Sequence, residues 1–164
     1  MALTRPVTHP SLYKVLATDW NEFVNNWIEL YDKNQGIDFV PTWSSSGTQP
    51  VLVNGTVAGK YGRVGKFVWY TMRWTAGSST TFGTGRWEFL LPVTSDGTAF
   101  TASAILVDSG TQIYTATGIL ISTTEFSITF TGDTSSGGIT NTTPFTWANG
   151  DSITCSGFYL ASAN

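Results

Sequence analysis

The sequence predicts an all-β fold, a jelly-roll β-sandwich preceded by an extended N-terminal arm and one amphipathic α-helix. Three observations predict it. From Phe39 onward, short runs of β-branched and aromatic residues alternate with Gly, Ser, Asn and Asp clusters at spacings typical of two packed sheets. A single segment, around residues 19–33, repeats its apolar residues at helical spacing. Ahead of it, Pro6 and Pro10 favour extended backbone and deny helix to residues 1–17. The expected divisions are an arm over 1–17, an oligomerisation helix over 18–36 and a sandwich over 37–164.

The arm cannot fold by itself. Leu3, Val7, Leu12, Tyr13, Val15 and Leu16 make it more apolar than a solvated tail needs to be, so it is expected to lie on a partner. A loose terminus is the plainer alternative.

The helix is expected to start near Thr18 or Asp19, where Asp19 and Glu22 have capping-box spacing and suit the positive end of the helix dipole. It should stop near Lys33, with Asn34 and Gly36 able to adopt the left-handed cap. Trp20, Phe23, Val24, Trp27, Ile28 and Tyr31 form its apolar stripe; Asn21, Asn25, Glu29 and Asp32 form its polar one. The steps Trp20–Val24–Trp27–Tyr31 follow the seam spacing of helices that pack on helices. A helix this short is marginal in water, so the stripe needs cover, from the sandwich's own flank or from sister subunits.

Strands are expected over 39–46, 50–53, 56–63, 66–75, 86–92, 102–107, 111–121, 125–131 and 151–160. In 66–75 both alternating sets are bulky, Phe67, Trp69, Thr71 and Arg73 against Val68, Tyr70, Met72 and Trp74, which predicts a central strand covered on both faces. In 125–131 Phe126, Ile128 and Phe130 should point inward, and Ser127, Thr129 and Thr131 outward. Eight or nine such strands most naturally close as a jelly roll.

Composition narrows the function. Apolar residues make up 41% of the chain and supply a core, but charged residues only 12%, about half the usual share. Thr, Ser and Gly take their place, which suits a rigid surface packed beside neighbours. All eight Lys and Arg fall within residues 1–86, which carry net +3, while residues 87–164 carry −6. Cations so scattered in an acidic chain make no nucleic-acid face. The lone Cys155 excludes an internal disulfide, and no stretch reads as a signal peptide or membrane span.

No chemistry is legible. The single histidine, His9, lies in the arm beside Pro10, and Cys155 falls on a strand with Ile153, Gly157 and Tyr159 as a small buried residue. Glu88, Asp96, Asp108 and Glu125 are scattered, so neither a glycosidase pair nor a metal cage is expected, and no cofactor. Gly59–Lys66 resembles a phosphate loop, but its spacing is one residue too long and Phe67 stands where Ser or Thr is needed. Trp43, Trp74, Trp87 and Trp147 could form a sugar platform, although tryptophans in a sandwich are more often core.

The segment Ala17-Thr18-Asp19-Trp20-Asn21-Glu22-Phe23-Val24-Asn25-Asn26 resembles the helix that opens many small structural proteins of tailed bacteriophages. Further motifs follow: Phe39-Val40-Pro41-Thr42-Trp43, Gly47-Thr48-Gln49-Pro50, Asn54-Gly55-Thr56, Lys60 to Lys66, Gly77 to Trp87 and Leu91-Pro92-Val93. Together they look like a β-module of phage virion proteins, across residues 17–93, the remainder fitting by strand pattern. The resemblance implies a tumour-necrosis-factor-like jelly-roll trimer, either a capsid decoration (minor capsid) protein or a piece of the tail. Because the chain reads as complete and has no fibre shaft, decoration is the expectation. On that reading Trp20, Phe23, Val24, Trp27, Ile28 and Tyr31 form the trimer interface, and Leu3, Arg5, Val7, Tyr13 and Lys14 of the arm grip the major capsid protein. The protein would reside on the capsid surface of the virion after assembly in the host cytoplasm, without enzymatic activity and without nucleic-acid or membrane partners. The alternative is a receptor- or glycan-binding tail or fibre module, with solvent-facing aromatics on loops 77–85 and 133–147.

Overall fold

A computed structural model describes residues 17–34, 36–130 and 137–162. Helix α1 spans Ala17–Asn34. Nine strands follow: β1 Ile37–Phe39, β2 Trp43–Ser45, β3 Thr56–Val64, β4 Phe67–Thr75, β5 Trp87–Leu90, β6 Ser95–Asp108, β7 Gln112–Leu120, β8 Glu125–Phe130 and β9 Ser152–Ala161. They form one antiparallel sheet in the order β1-β3-β4-β9-β6-β7-β8-β5-β2. The sheet curls until its halves face each other. Trp74 on β4 and Trp87 on β5 stand five strands apart in that order, yet their rings lie 5.4 Å from one another. The fold is therefore the all-β, sandwich-like one that the sequence predicts, with a single helix among the described residues and two layers that are halves of one continuous sheet.

Strand alternation decides what is buried. Val68, Tyr70, Met72 and Trp74 of β4, Ile153, Cys155 and Tyr159 of β9, and Phe126 and Ile128 of β8 point into the core. Each large apolar side chain so removed from water contributes on the order of 1.5–3 kcal/mol. Asp151 is a buried acid at the foot of β9. Its Oδ1 accepts from the Ser109 N–H at 2.8 Å and its Oδ2 from the Ala148 N–H at 2.6 Å. Its carbonyl accepts from the Ala76 N–H at 2.9 Å, so one residue ties three loops together.

Four sequence expectations need correction. The run 39–46 is two strands on opposite edges of the sheet, β1 against β3 and β2 against β5, because the buried Pro41 cannot continue a ladder and the chain crosses over there. Residues 50–53 contribute only the bridge Val51–Thr81. The strand expected over 102–107 begins at Ser95, its register with β9 shifting between Ser95 and Phe100. Ser127 faces away from Phe126 and Ile128 yet is buried, because Gly138 stands against its hydroxyl, which is satisfied by donating to the Trp87 carbonyl at 2.8 Å.

Helix α1 begins at Ala17, slightly earlier than expected, so Asp19 lies within the first turn. Gly36, with φ +84°, supplies the left-handed backbone just beyond the helix, where a side chain would be strained.

Candidate interaction surface

Helix α1 packs chiefly against β3. Its half-buried positions include Asp19, Asn26, Glu29 and Leu30. At 100° per residue that flank lies roughly 130° round the helix from the stripe of Trp20, Phe23, Val24, Trp27, Ile28 and Tyr31. The expected interface residues are thus brought together on one side, turned away from their own sheet. Trp20, Phe23, Trp27 and Tyr31 are 59–64% exposed and Ile28 is 50% exposed. Val24 alone is half-buried. Trp20 and Phe23 touch, with ring centroids 5.7 Å apart. The arm residues Leu3, Arg5, Val7, Tyr13 and Lys14, like His9, lie outside the described residues.

A second apolar surface was not foreseen. The outer face of β4 is uncovered, contrary to the expectation of cover on both sides: Phe67, Thr71 and Arg73 are exposed and Trp69 is half-buried. Phe67 stacks on Phe158 of β9 at 5.6 Å, both rings facing solvent. Register explains the shape of this face. Trp69, Phe158 and Thr101 form one row across β4, β9 and β6; Thr71, Ser156 and Ser103 form the next; Arg73, Thr154 and Ile105 the third. The small hydroxyl row lies between rows carrying rings and long side chains, and the result is an open trough of ≈ 420 Å³. Trp69 lies over Gly62, where an added Cβ would collide with the indole. The bulk of alternate residues in 66–75 was a legible signal for this strip; its pairing with Phe158 was not, because register joins residues almost a hundred positions apart.

Of the four candidate sugar-platform tryptophans, Trp74, Trp87 and Trp147 are buried in the core and Trp43 is half-buried against it. Trp43 packs edge-on against Trp74 and Trp87, each at 4.8 Å, and Trp87 against Trp147 at 4.8 Å. The Trp87 indole N–H donates to the Phe82 carbonyl at 3.1 Å. Phe82 stacks on Trp87, and Phe145 packs on Trp147 at 4.4 Å, so the described aromatics of loops 77–85 and 137–147 turn inward. The indole N–H groups of Trp43, Trp74 and Trp147 have no hydrogen-bond partner. Trp74 and Trp147 meet at 88°, an edge-on arrangement that lets indole edges face neighbouring ring faces.

The ionisable groups are engaged structurally. Glu88 pairs with Arg86 at 2.9 Å. Hydrogen bonds from the Thr98 hydroxyl and N–H hold the Asp96 carboxyl below its ordinary value. Burial pushes the Cys155 thiol up to about 12, and Sγ lies 3.9 Å from the Tyr70 hydroxyl. The glycine-rich stretch 59–66 is the end of β3 and the hairpin turn at Gly65. Among the described residues no group of three His, Cys, Asp or Glu side chains could hold a metal ion, and no helix is long and apolar enough to cross a membrane.

No protein-family model, no curated protein and no solved structure matches the chain.

Proposed function

We propose that this chain is a non-enzymatic structural protein of a phage virion, a homotrimeric decoration (minor capsid) protein that binds the major capsid protein and stabilises its lattice. The observation that carries the assembly part is the α1 stripe. Five large apolar side chains of one helix face are half or more exposed in the single chain. Contiguous apolar surface of this kind marks an interaction site, and cover by sister copies removes it from water in every subunit at once. Each ring so buried contributes on the order of 1–2 kcal/mol after allowance for the part already covered.

The capsid part rests on the resemblance of residues 17–93 to phage virion modules. Arms 1–17 from three copies would turn weak single contacts into durable attachment. A ligand that binds only the assembled lattice stabilises it by linkage. The tail-module alternative called for solvent-facing rings on the loops around 77–85 and 133–147, and the inward packing of Phe82, Phe145 and Trp147 weighs against it.

A truncation lacking residues 1–17 is expected to remain trimeric in sedimentation and to fail to decorate expanded capsids. Full decoration by that truncation would overturn the role of the arm. A full-length chain that sediments as a monomer at micromolar concentration would overturn the assembly itself.

A further inference from the structure

We propose that the trough on the outer face of β4, β9 and β6 is the seat of helix α1 from a neighbouring copy. The trimer would then close by helix-on-sheet contacts, the stripe of each chain lying in the trough of the next. This inference rests on the assembly reading above and specifies what covers the stripe.

The first argument is area. Aromatic side chains present roughly 150–250 Å² each. At the exposures of Trp20, Phe23, Trp27, Tyr31 and Ile28, the stripe offers roughly 500–600 Å² per chain. Three stripes meeting on an axis must share that area between two neighbours, leaving each contact far below the roughly 800 Å² per partner of a stable interface. A stripe laid whole on another surface puts its roughly 500–600 Å² into one contact, about twice the shared case and close to the low end of standard interfaces. It also covers Phe67, Phe158 and Val64, which are 45–48% exposed in the single chain.

Shape and chemistry provide the second argument. The valley floor is Thr71, Ser156 and Ser103, one short side chain per strand on three adjacent strands, so the valley runs about 10 Å across the strands between flanking rows whose backbones stand about 13 Å apart, room for a helix about 10 Å wide. None of the trough's lining residues is charged, and neither is any residue of the stripe. The helix's own anchorage to β3 sets its stripe facing away from its own sheet, so a second copy must supply the trough.

Such a contact is heterologous: stripe and trough are different patches, so the copies join head to tail and close as a ring. A stripe-on-stripe seam predicts the opposite, each stripe touching its own equivalent.

Cysteine cross-linking in the full-length protein separates these cases. Ile28→Cys is combined in turn with Thr71→Cys, Ser103→Cys and Ser156→Cys, and the assembled protein is mildly oxidised. The only native cysteine, Cys155, is buried and free. At least one double variant is expected to give covalent dimers and trimers on a non-reducing gel, while Ile28→Cys alone stays uncross-linked. Cross-linking by Ile28→Cys alone would overturn the proposal in favour of a helix–helix seam and leave the assembly reading intact. A trimer by sedimentation in which no double variant cross-links would overturn it equally. As an independent readout, Phe158→Ser is expected to raise the trimer dissociation constant at least tenfold with an unchanged far-ultraviolet circular dichroism spectrum. Unchanged trimer affinity in that variant, with or without loss of binding on a glycan array, would overturn the proposal.

Discussion

Asp151 is the residue through which the loops at one end of the sheet stand or fall. It lies in the core just before β9, 2% exposed, with both carboxylate oxygens engaged by backbone N–H groups, of Ser109 at 2.8 Å and Ala148 at 2.6 Å. Hydrogen bonds to a charged acceptor contribute about 1.5–3 kcal/mol each, and a buried donor left without a partner costs about 1–3 kcal/mol. Asp151→Ala removes both acceptors and is expected to cost about 3–5 kcal/mol. Asp151→Asn keeps one oxygen but turns an NH2 toward the second N–H, and should cost about 2–3 kcal/mol. A domain of this size has on the order of 5–15 kcal/mol in total. Urea titration followed by tryptophan fluorescence reads the effect as a lower midpoint at constant m, in the order wild type, Asn, Ala. A midpoint for Asp151→Asn within about 0.5 kcal/mol of wild type would refute the reasoning, since it would mean the two N–H groups find water or another acceptor at no cost.

Other outcomes follow from the same structure. Val53 is a β-branched residue at φ 50°, where a left-handed backbone costs about 1–2 kcal/mol; Val53→Asn, exposed and free to adopt that conformation, is expected to raise the melting temperature by a few degrees. Burial, chiefly, pushes Cys155 from 9.0 and Tyr159 from 10.0 up to about 12, and raises Tyr70 further, so these groups keep their protons in the fold when the unfolded chain has lost them. Stability contributed this way is fully present below pH about 9 and falls between pH about 9 and about 12; Cys155→Ala should remove the part that begins nearest pH 9, as read by urea midpoints against pH. Gly157→Ala places a Cβ against the Thr101 carbonyl and Ala102 of the adjacent strand, an overpacking expected to cost about 1–3 kcal/mol in thermal melts.

The residues closest to one another in sequence were the most legible. The helix, its stripe and its left-handed exit at Gly36 depend on i, i+3 and i+4 neighbours, and the inward faces of β4, β8 and β9 depend on i, i+2 alternation, so both periods could be read directly. The same locality hid what Pro41 does. A break between two short strands is visible in the sequence; that they belong to opposite edges of the sheet is not, because each edge is chosen by a distant partner, Tyr61–Gly59 for one and Phe89–Trp87 for the other. That Ser127 is buried was hidden for a related reason, since its cover is Gly138 and its hydroxyl's partner a carbonyl forty residues away.

For the interaction surface, the order of residues alone determined that Trp20, Phe23, Trp27, Ile28 and Tyr31 share one helical face, since a 3.6-residue period is a property of the backbone. Only the tertiary structure decided where that face points and that Phe67, Trp69 and Phe158 border an open trough. Orientation is set by which flank docks on β3, and the trough by the register that aligns Thr71, Ser156 and Ser103. Docking and register are long-range choices, made by the summed packing of the whole sheet and written in no single segment of it.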